Sequence, residues 1–576
     1  MSASTSSIRL PVLDSAVTKT REEETLLKQM LREQHDLTAV ERFSQFHDAV
    51  ETPLQEKYYQ SLIPASPPGP GQQYAFQVDL DRCSGCKACV TACHNLNGLD
   101  DGETWRSVGL LHGGTVESPV QRTVTTTCHH CLDPACMNGC PVNAYDKDPE
   151  TGIVKHIDDQ CIGCQYCVFT CPYEVPQFSK ARGIVRKCDM CSDRLAEGEA
   201  PACVQACPTE AISIAIVDED HVLEAAQVDA FLPGAPAPSI TAPTTVYKTS
   251  SALPQNVMPA DFYRVHPAHQ HLPLVWMLVL TQLSVGALLI DQILSLLPDT
   301  GLLSVVRPYH AIVALGLGIV ALVASTSHLG RPQYAWRVFL GIRTSWLSRE
   351  ILAFGAFAGA AALYAGMLWL ADGTLVSPSM ANVLAGRAPV AGVATALVGL
   401  GAVFCSAMLY HVTRRHWWHF SRTGFKFFMT AAVLGISLTI VIFWVVAVSL
   451  GGTIPKVLID GTSTAGVILM AVTTTKLAGE SLVFLHLKDK KQGDLKRSAL
   501  LLRGDLLPLT FFRYAAGGLG GILIPLFLLV PASADSPIAT LVGAALAFGL
   551  VFVGEIVERR TFFAAMSAPR MPGGMP

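Results

Sequence analysis

Cys83, Cys86, Cys89 and Cys93 have the spacing C-x2-C-x2-C-x3-C, which recurs at Cys161, Cys164, Cys167 and Cys171. Two further groups, Cys128, Cys131, Cys136, Cys140 and Cys188, Cys191, Cys203, Cys207, complete a set from which only Cys405 stands apart. In the repeated spacing, three thiolates on one turn can hold three irons of a cubane while the fourth points away to a second cluster, so such groups work in pairs. A proline follows Cys140, Cys171 and Cys207, as in two-cluster ferredoxin runs, and His94 takes that place after Cys93. Zinc prefers two separated C-x2-C knuckles and fits this pattern less well. Tight short-spaced groups also favour metal ligation over disulfides. "CHHC" is not the C-x-x-C-H of haem attachment, and the spacing of "CKACVTACH" is wrong for it.

These groups must be positioned by short elements. Strand-like runs such as "YAFQVDL", "GIVKHI" and "AISIAIV" lie between them. The cysteine domain is expected over residues 73–216. Before it, residues 1–72 form a polar N-terminal extension. There Leu26, Leu27, Met30 and Leu31 at helical spacing predict an amphipathic helix, either capping its own domain or docking on a partner, and "PASPPGPGQQ" ends it. After it, the Pro/Ala-rich stretch 217–271 reads as an extended linker lying on other surfaces.

Hydrophobic residues make up 50% of the 576 positions and charged residues 15%, with a mean hydropathy of +0.37, a balance that implies a membrane portion. Residues 272–576 supply it. Eight apolar stretches begin near Leu272, Tyr309, Glu350, Pro389, Phe425, Gly461, Phe511 and Pro537, each long enough to cross a hydrocarbon core of about 30 Å. The net charge of −4 gives no basic footprint, so no nucleic-acid partner is expected. The loops after the second, fourth and sixth stretches and the C-terminal tail carry 17 Lys and Arg, against Arg307, Arg387 and Lys456 on the opposite loops. The positive-inside rule then places the richer side, and with it the cysteine domain, in the cytoplasm. "MSASTSSIRLPVLDSAV" has neither a twin arginine nor an apolar signal core, which points the same way. The alternative is that these charges grip the cysteine domain.

"CHHCLDPACMNGCPVNA", "CIGCQYCVFTCPYEVP" and "RKCDMCSDRLAEGEAPACVQACPTEAI" closely resemble the four-cluster iron-sulfur subunits of dimethyl sulfoxide reductase and related molybdopterin oxidoreductases, over about residues 74–215. The resemblance implies four [4Fe-4S] clusters: on Cys83, Cys86, Cys89 with Cys207; on Cys188, Cys191, Cys203 with Cys93; on Cys128, Cys131, Cys136 with Cys171; and on Cys161, Cys164, Cys167 with Cys140. It leaves His129 and His130 as neighbours of ligands or surface residues. "LPLVWMLVLTQLSVGA", "SHLGRPQYAWR", "RTSWLSREI" and "GEIVERRTFFAAM" resemble the membrane anchor of the same complex over nearly all of 270–571, so the sequence looks like a natural fusion. Anchors of that family oxidise quinol or menaquinol and carry no haem, so none is expected. His328 matches the histidine associated with quinol binding, with Arg331 close by. A histidine at a membrane boundary can hydrogen-bond a quinol hydroxyl and take its proton, or merely cap a helix.

Charges within apolar stretches are functional candidates by default. Of Asp291, Lys476, Glu480 and Glu555, the pair Lys476 and Glu480 is expected to neutralise itself across one helical turn. Arg349 with Glu350 reads as an interfacial anchor pair, Trp346, Trp417 and Trp418 as an aromatic belt, and Cys405 as packing.

The expected fold is an α+β double ferredoxin-like iron-sulfur domain followed by an all-α polytopic membrane domain of eight transmembrane helices. The expected function is that of an electron-transfer and anchor subunit in the cytoplasmic membrane. It would pass electrons from the quinol pool through four clusters to a separate molybdopterin catalytic subunit, the terminal reductase site lying outside this chain. Alternatives are a membrane ferredoxin:quinone oxidoreductase, or a scaffold or transporter with structural clusters.

Overall fold

The computed structural model describes residues 26, 28, 32, 35, 38–49, 56–296, 301–371, 375–451, 454–533 and 536–573. Residues 1–61 and 62–576 are two units. In the first, the Thr38 amide donates to Glu41 Oε2 at 2.7 Å and the Glu41 amide to Thr38 Oγ1 at 3.2 Å, a reciprocal cap that starts the helix Ala39–Asp48. Of the residues that predicted an earlier helix, Leu26 is helical and exposed. Leu27, Met30 and Leu31 lie outside the described residues.

Ten short strands organise the cysteine region among the described residues: β1 (Gln72–Asp79), β2 (Ser107–Gly114), β3 (Pro119–Thr126), β4 (Tyr145–Lys147), β5 (Val154–His156), β6 (Gln177–Ser179), β7 (Ile184–Arg186), β8 (Ile212–Asp218), β9 (Val246–Lys248) and β10 (Met258–Pro259). β1 pairs antiparallel with β8, Gln72 opposite Asp218, so the two ends of the region close against each other. Alternation along β1 buries Gln73, Ala75 and, after a break, Phe76 and Val78. β2 pairs with β3, and the hairpins β4-β5 and β6-β7 carry the loops between cysteine groups.

The stretch 217–271 is not the linker its composition suggested. It forms a helix, Glu219–Gln227, adds β9 in parallel to β1, and adds β10 to β2. Leu232, Thr244 and Val257 are buried, and the amides of Leu132 and Asp133 donate to the carbonyls of Ala242 and Thr241 at 2.9 and 3.1 Å. Prolines and small residues let this strap lie flat, and its sparse Leu, Val and Thr anchor it.

Among the described residues, eight helices are long and apolar enough to cross a membrane: Leu272–Leu294, Leu302–Thr326, Trp346–Leu370, Pro378–His411, Phe420–Leu450, Lys456–Lys488, Leu507–Leu529 and Pro537–Ala564. Spans one to four pack as one four-helix group and spans five to eight as another, joined where the first span meets the fifth and eighth and where the fifth also meets the second and fourth. The first and fifth spans are therefore the most enclosed, 72% and 67% buried. After the eighth span the polypeptide returns to the cysteine region, where the Leu110 amide donates to the Gly573 carbonyl at 2.9 Å. The even number of spans thus brings both ends of the membrane half to one side.

Candidate functional site: the cysteine quartets and the loop beneath them

The C-x2-C-x2-C turns owe their shape to alternating left-handed residues. Gly85 and Lys87 have φ of 74° and 63° in the first, Gly163 and Gln165 φ of 70° and 59° in the third. Such turns curl backbone amides inward toward anionic groups: the Gly163 amide donates to Cys161 Sγ and the Met190 amide to Cys188 Sγ, both at 3.4 Å. The Cys-Pro turns share a second device. Asn143, Glu174 and Glu210, each three residues after Cys140, Cys171 and Cys207, are all left-handed. In two of these turns the next amide, that of Ala144 or Ala211, donates to the preceding sulfur at 3.2 Å. Cys93 has no such proline. Its helix, Ala88–Leu96, continues, and Asn97 Nδ2 donates instead to the Cys93 carbonyl at 2.8 Å and to its Sγ at 3.6 Å.

Cys128, Cys131, Cys136 and Cys171 line one pocket, and Cys140, Cys161, Cys164 and Cys167 another. Elsewhere Cys93 faces Cys203 and Cys191, Cys188 faces Cys93, and Cys89 faces Cys203 and Cys207. Cys83 and Cys86 share the loop of Cys89. Burial pushes the Cys93 thiol up to about 12 and those of Cys171 and Cys191 to about 11. Thiolates so buried require a cationic centre. Among the described residues no three His, Cys, Asp or Glu side chains close on a single-ion site; four thiols converging on one pocket fit an iron-sulfur group.

Three buried side chains place the quartets in order, counted as the resemblance implies them: Cys83, Cys86, Cys89 and Cys207 as the first set, Cys188, Cys191, Cys203 and Cys93 as the second, Cys128, Cys131, Cys136 and Cys171 as the third, and Cys161, Cys164, Cys167 and Cys140 as the fourth. Arg106, 1% exposed, faces Cys203, Cys89, Cys188 and Cys93, and so lies between the first and second sets. Lys187, 3% exposed, faces Cys128, Cys136 and Cys188, between the second and third. Tyr145 faces Cys167, Cys136 and Cys140, between the third and fourth. The first set reaches the surface at Cys86, which is exposed.

His129 and His130 are not surface residues. Both are buried beside the third set, where His129 Nδ1 lies 2.9 Å from Thr245 Oγ1 and His130 Nδ1 accepts the Val154 amide at 3.0 Å. Burial, with Arg106 adding to it, lowers His129 to about 3, so it stays neutral. The strap 241–245 closes over them, which a histidine pair between two cysteines does not reveal in sequence.

The fourth set sits directly on the membrane half. Backbone meets backbone there: the Arg331 amide donates to the Ile162 carbonyl at 3.0 Å and the Gly341 amide to the Pro141 carbonyl at 2.9 Å. Tyr166, between Cys164 and Cys167, donates through its hydroxyl to the Leu409 carbonyl at 2.8 Å. His328 touches the backbone of Cys164, and its Nε2 is buried with no hydrogen-bond partner. Burial lowers its pKa. The His271 ring lies 5.8 Å away. Arg331 Nη1 donates to the Asp158 carbonyl at 3.0 Å, so its guanidinium is engaged by the iron-sulfur half.

Glu350 does not pair with Arg349. Arg349 donates to the carbonyls of Ile342 and Arg343 and lies over Trp346, whereas Glu350 is 3% exposed, faces Tyr166, and has an Oε1 without a hydrogen-bond partner. Successive helical residues point about 100° apart, so adjacency in sequence was no guide. Trp417 and Trp418 are not a belt either: both are buried and donate to the Phe562 carbonyl. Cys405 is half-buried. Asp291 is neutralised by Arg307 at 3.2 Å. Several basic loop residues do grip the cysteine region: Arg414 reaches Ser239, Arg497 reaches Phe262, and Arg570 reaches Glu174.

Residues 121–217 match the 4Fe-4S dicluster domain family, and residues 265–565, more than half of the sequence, match the DMSO reductase anchor subunit (DmsC) family. The protein is 39% identical over 155 residues to the B subunit of the anaerobic dimethyl sulfoxide reductase of Escherichia coli, covering 26% of this sequence and 75% of that one. The corresponding subunit of Haemophilus influenzae is 35% identical over 186 residues, 31% of this sequence and 89% of its own. A thiosulfate reductase electron transfer subunit of Salmonella typhi is 37% identical over 153 residues, 26% and 79%. The protein carries iron-sulfur clusters and is a multi-pass membrane protein. It belongs to the DMSO reductase anchor subunit family, with an iron-sulfur electron-transfer part like the reductase B subunit fused ahead of the anchor.

Proposed function

We propose that this protein oxidises a quinol, menaquinol included, at the face where its membrane half meets the fourth cysteine set, and delivers the electrons to a separate molybdopterin-containing catalytic subunit docked around Cys86. The ligand sets are Cys83, Cys86, Cys89, Cys207; Cys188, Cys191, Cys203, Cys93; Cys128, Cys131, Cys136, Cys171; and Cys161, Cys164, Cys167, Cys140. Each would hold one [4Fe-4S] cluster, which supplies one-electron transfer.

The observation that carries this reading is the seating of Cys164 and Tyr166 on His328 and Glu350. There a quinol hydroxyl would meet a neutral imidazole able to accept its proton, and a carboxyl able to orient or relay it. Arg331 holds the loop to the iron-sulfur half. The relatives' names, a reductase subunit and an electron transfer subunit, support the direction of the chemistry. The positive loops support a cytoplasmic iron-sulfur side.

Purification of the complex from its native membrane tests the proposal. A co-purifying large molybdopterin subunit and four reducible [4Fe-4S] signals by EPR are expected; absence of the partner, or clusters that quinol does not reduce, would overturn it. A reporter fused to the C-terminus is expected to be active only in cytoplasmic form.

A further inference from the structure

A network of charges lies inside the second helical group. Lys476 binds Glu480 at 3.2 Å and Glu555 at 3.1 Å. Arg513 binds Glu480 at 2.9 Å and Glu555 at 2.8 Å, Lys426 binds Glu558 at 3.1 Å, and Arg559 binds Glu558 at 3.3 Å. Thr430 and Gln282 add hydrogen bonds to Lys476 and Arg559. Four cations thus face three carboxylates, and none of the seven side chains is more than 13% exposed. Among the described residues, one positive charge of this network is left without a counter-charge in a low-dielectric interior, where an unpaired charge is strongly disfavoured.

The network opens on a cleft between the start of the fifth span and the end of the sixth. Ser421, Arg422, Lys426 and His486 form its polar wall, Trp417 and Phe425 part of its apolar wall. Glu480 also lines it, but its carboxyl is engaged by Arg513 and Lys476. Lys488, Lys490 and Lys491 follow in the loop on either side of Asp489, whose carboxylate meets His486 Nδ1 at 2.8 Å. Beside the mouth, Leu482 and Leu485 are 61% and 60% exposed.

We propose that this cleft binds the phosphate of an anionic phospholipid headgroup. Its charge supplies the missing counter-charge of the network, its phosphate oxygens accept from Arg422, Lys426 and Ser421, and its acyl chains lie along the exposed leucines. Basic pockets between spans at a membrane boundary take anionic headgroups by this chemistry, and the mixed polar and apolar walls match an amphiphile better than a free ion.

The full-length protein, delipidated in neutral detergent, is titrated with phosphatidylglycerol, phosphatidylcholine or inorganic phosphate, with bound lipid read by native mass spectrometry and the unfolding temperature read in parallel. Phosphatidylglycerol is expected to be retained and to raise the unfolding temperature by several degrees, and phosphatidylcholine to do neither. Arg422→Gln with Ser421→Ala is expected to weaken retention at least tenfold while leaving the lipid-free unfolding temperature in place; Arg422→Lys is expected to keep most of it. Equal retention of phosphatidylcholine, an equal shift from inorganic phosphate alone, or retention unchanged in the double variant would overturn the proposal.

Discussion

Gly330, in the loop after the second span, lies so close to Gly183 of the iron-sulfur half that a Cβ on Gly330 would stand 2.0 Å from the Gly183 carbonyl oxygen. Gly163 is equally confined: its own Cβ would fall 2.3 Å from the same oxygen, at a left-handed φ of 70°. Contact between the two halves at the fourth cysteine set therefore depends on three bare backbones.

Gly330→Ala is expected to force that joint open. Overpacking of this kind costs about 1–3 kcal/mol, so the unfolding temperature should fall, and quinol should reduce the clusters more slowly while dithionite reduces them fully. Parallel thermal unfolding and rapid-mixing spectra check this; unchanged values in both would refute the tight joint.

Lys187→Met removes a buried positive charge that faces Cys128, Cys136 and Cys188. Reduction adds negative charge there, so the potentials of the two flanking clusters are expected to fall by tens of millivolts, about 59 mV for each tenfold change in a one-electron equilibrium. Lys187→Arg should hold them near their original values. Redox titration followed by EPR reads both, and a drop confined to the first or fourth cluster would contradict the placement of Lys187.

His328→Ala and Glu350→Gln are each expected to leave all four clusters assembled yet slow their reduction by quinol roughly a hundredfold, the usual scale for losing a proton acceptor. Stopped-flow reduction by a menaquinol analogue, with iron content as control, gives the answer. A normal rate in either variant removes that residue from the site.

Lys476→Met leaves Glu480 and Glu555 facing Arg513 alone. Breaking a buried ion pair in this way is expected to cost about 3–5 kcal/mol, seen as a lowered unfolding temperature of the membrane half. Adding Glu555→Gln should recover part of the loss, because the two changes act on one pair.

What the sequence made legible was local. The grouping of the cysteines, the Cys-Pro turns and the eight apolar stretches each need only a window of a few to some twenty residues, and the turns and the helices stand in the structure. What it hid depends on residues far along the polypeptide. His129 and His130 are enclosed by Thr244 and Thr245, more than a hundred positions away, and composition alone gave no sign that the strap holding those threonines is structural. Lys476 and Glu480 do pair, but Glu555 and Arg513 from other spans turn that pair into a network. Glu350 was masked by Arg349, although a helix start that carries a lone acidic residue before an apolar run was a usable signal.

The bond from Leu110 to Gly573 gives the protein a timetable. The iron-sulfur half leaves the ribosome first, but the outer edge of β2, which β10 covers at Met258 and Pro259, is completed at the Leu110 amide by a residue translated after the eighth span. Final closure of the electron-carrying half is thereby coupled to complete insertion of the other, so a protein stalled partway into the membrane would carry an unsealed redox domain.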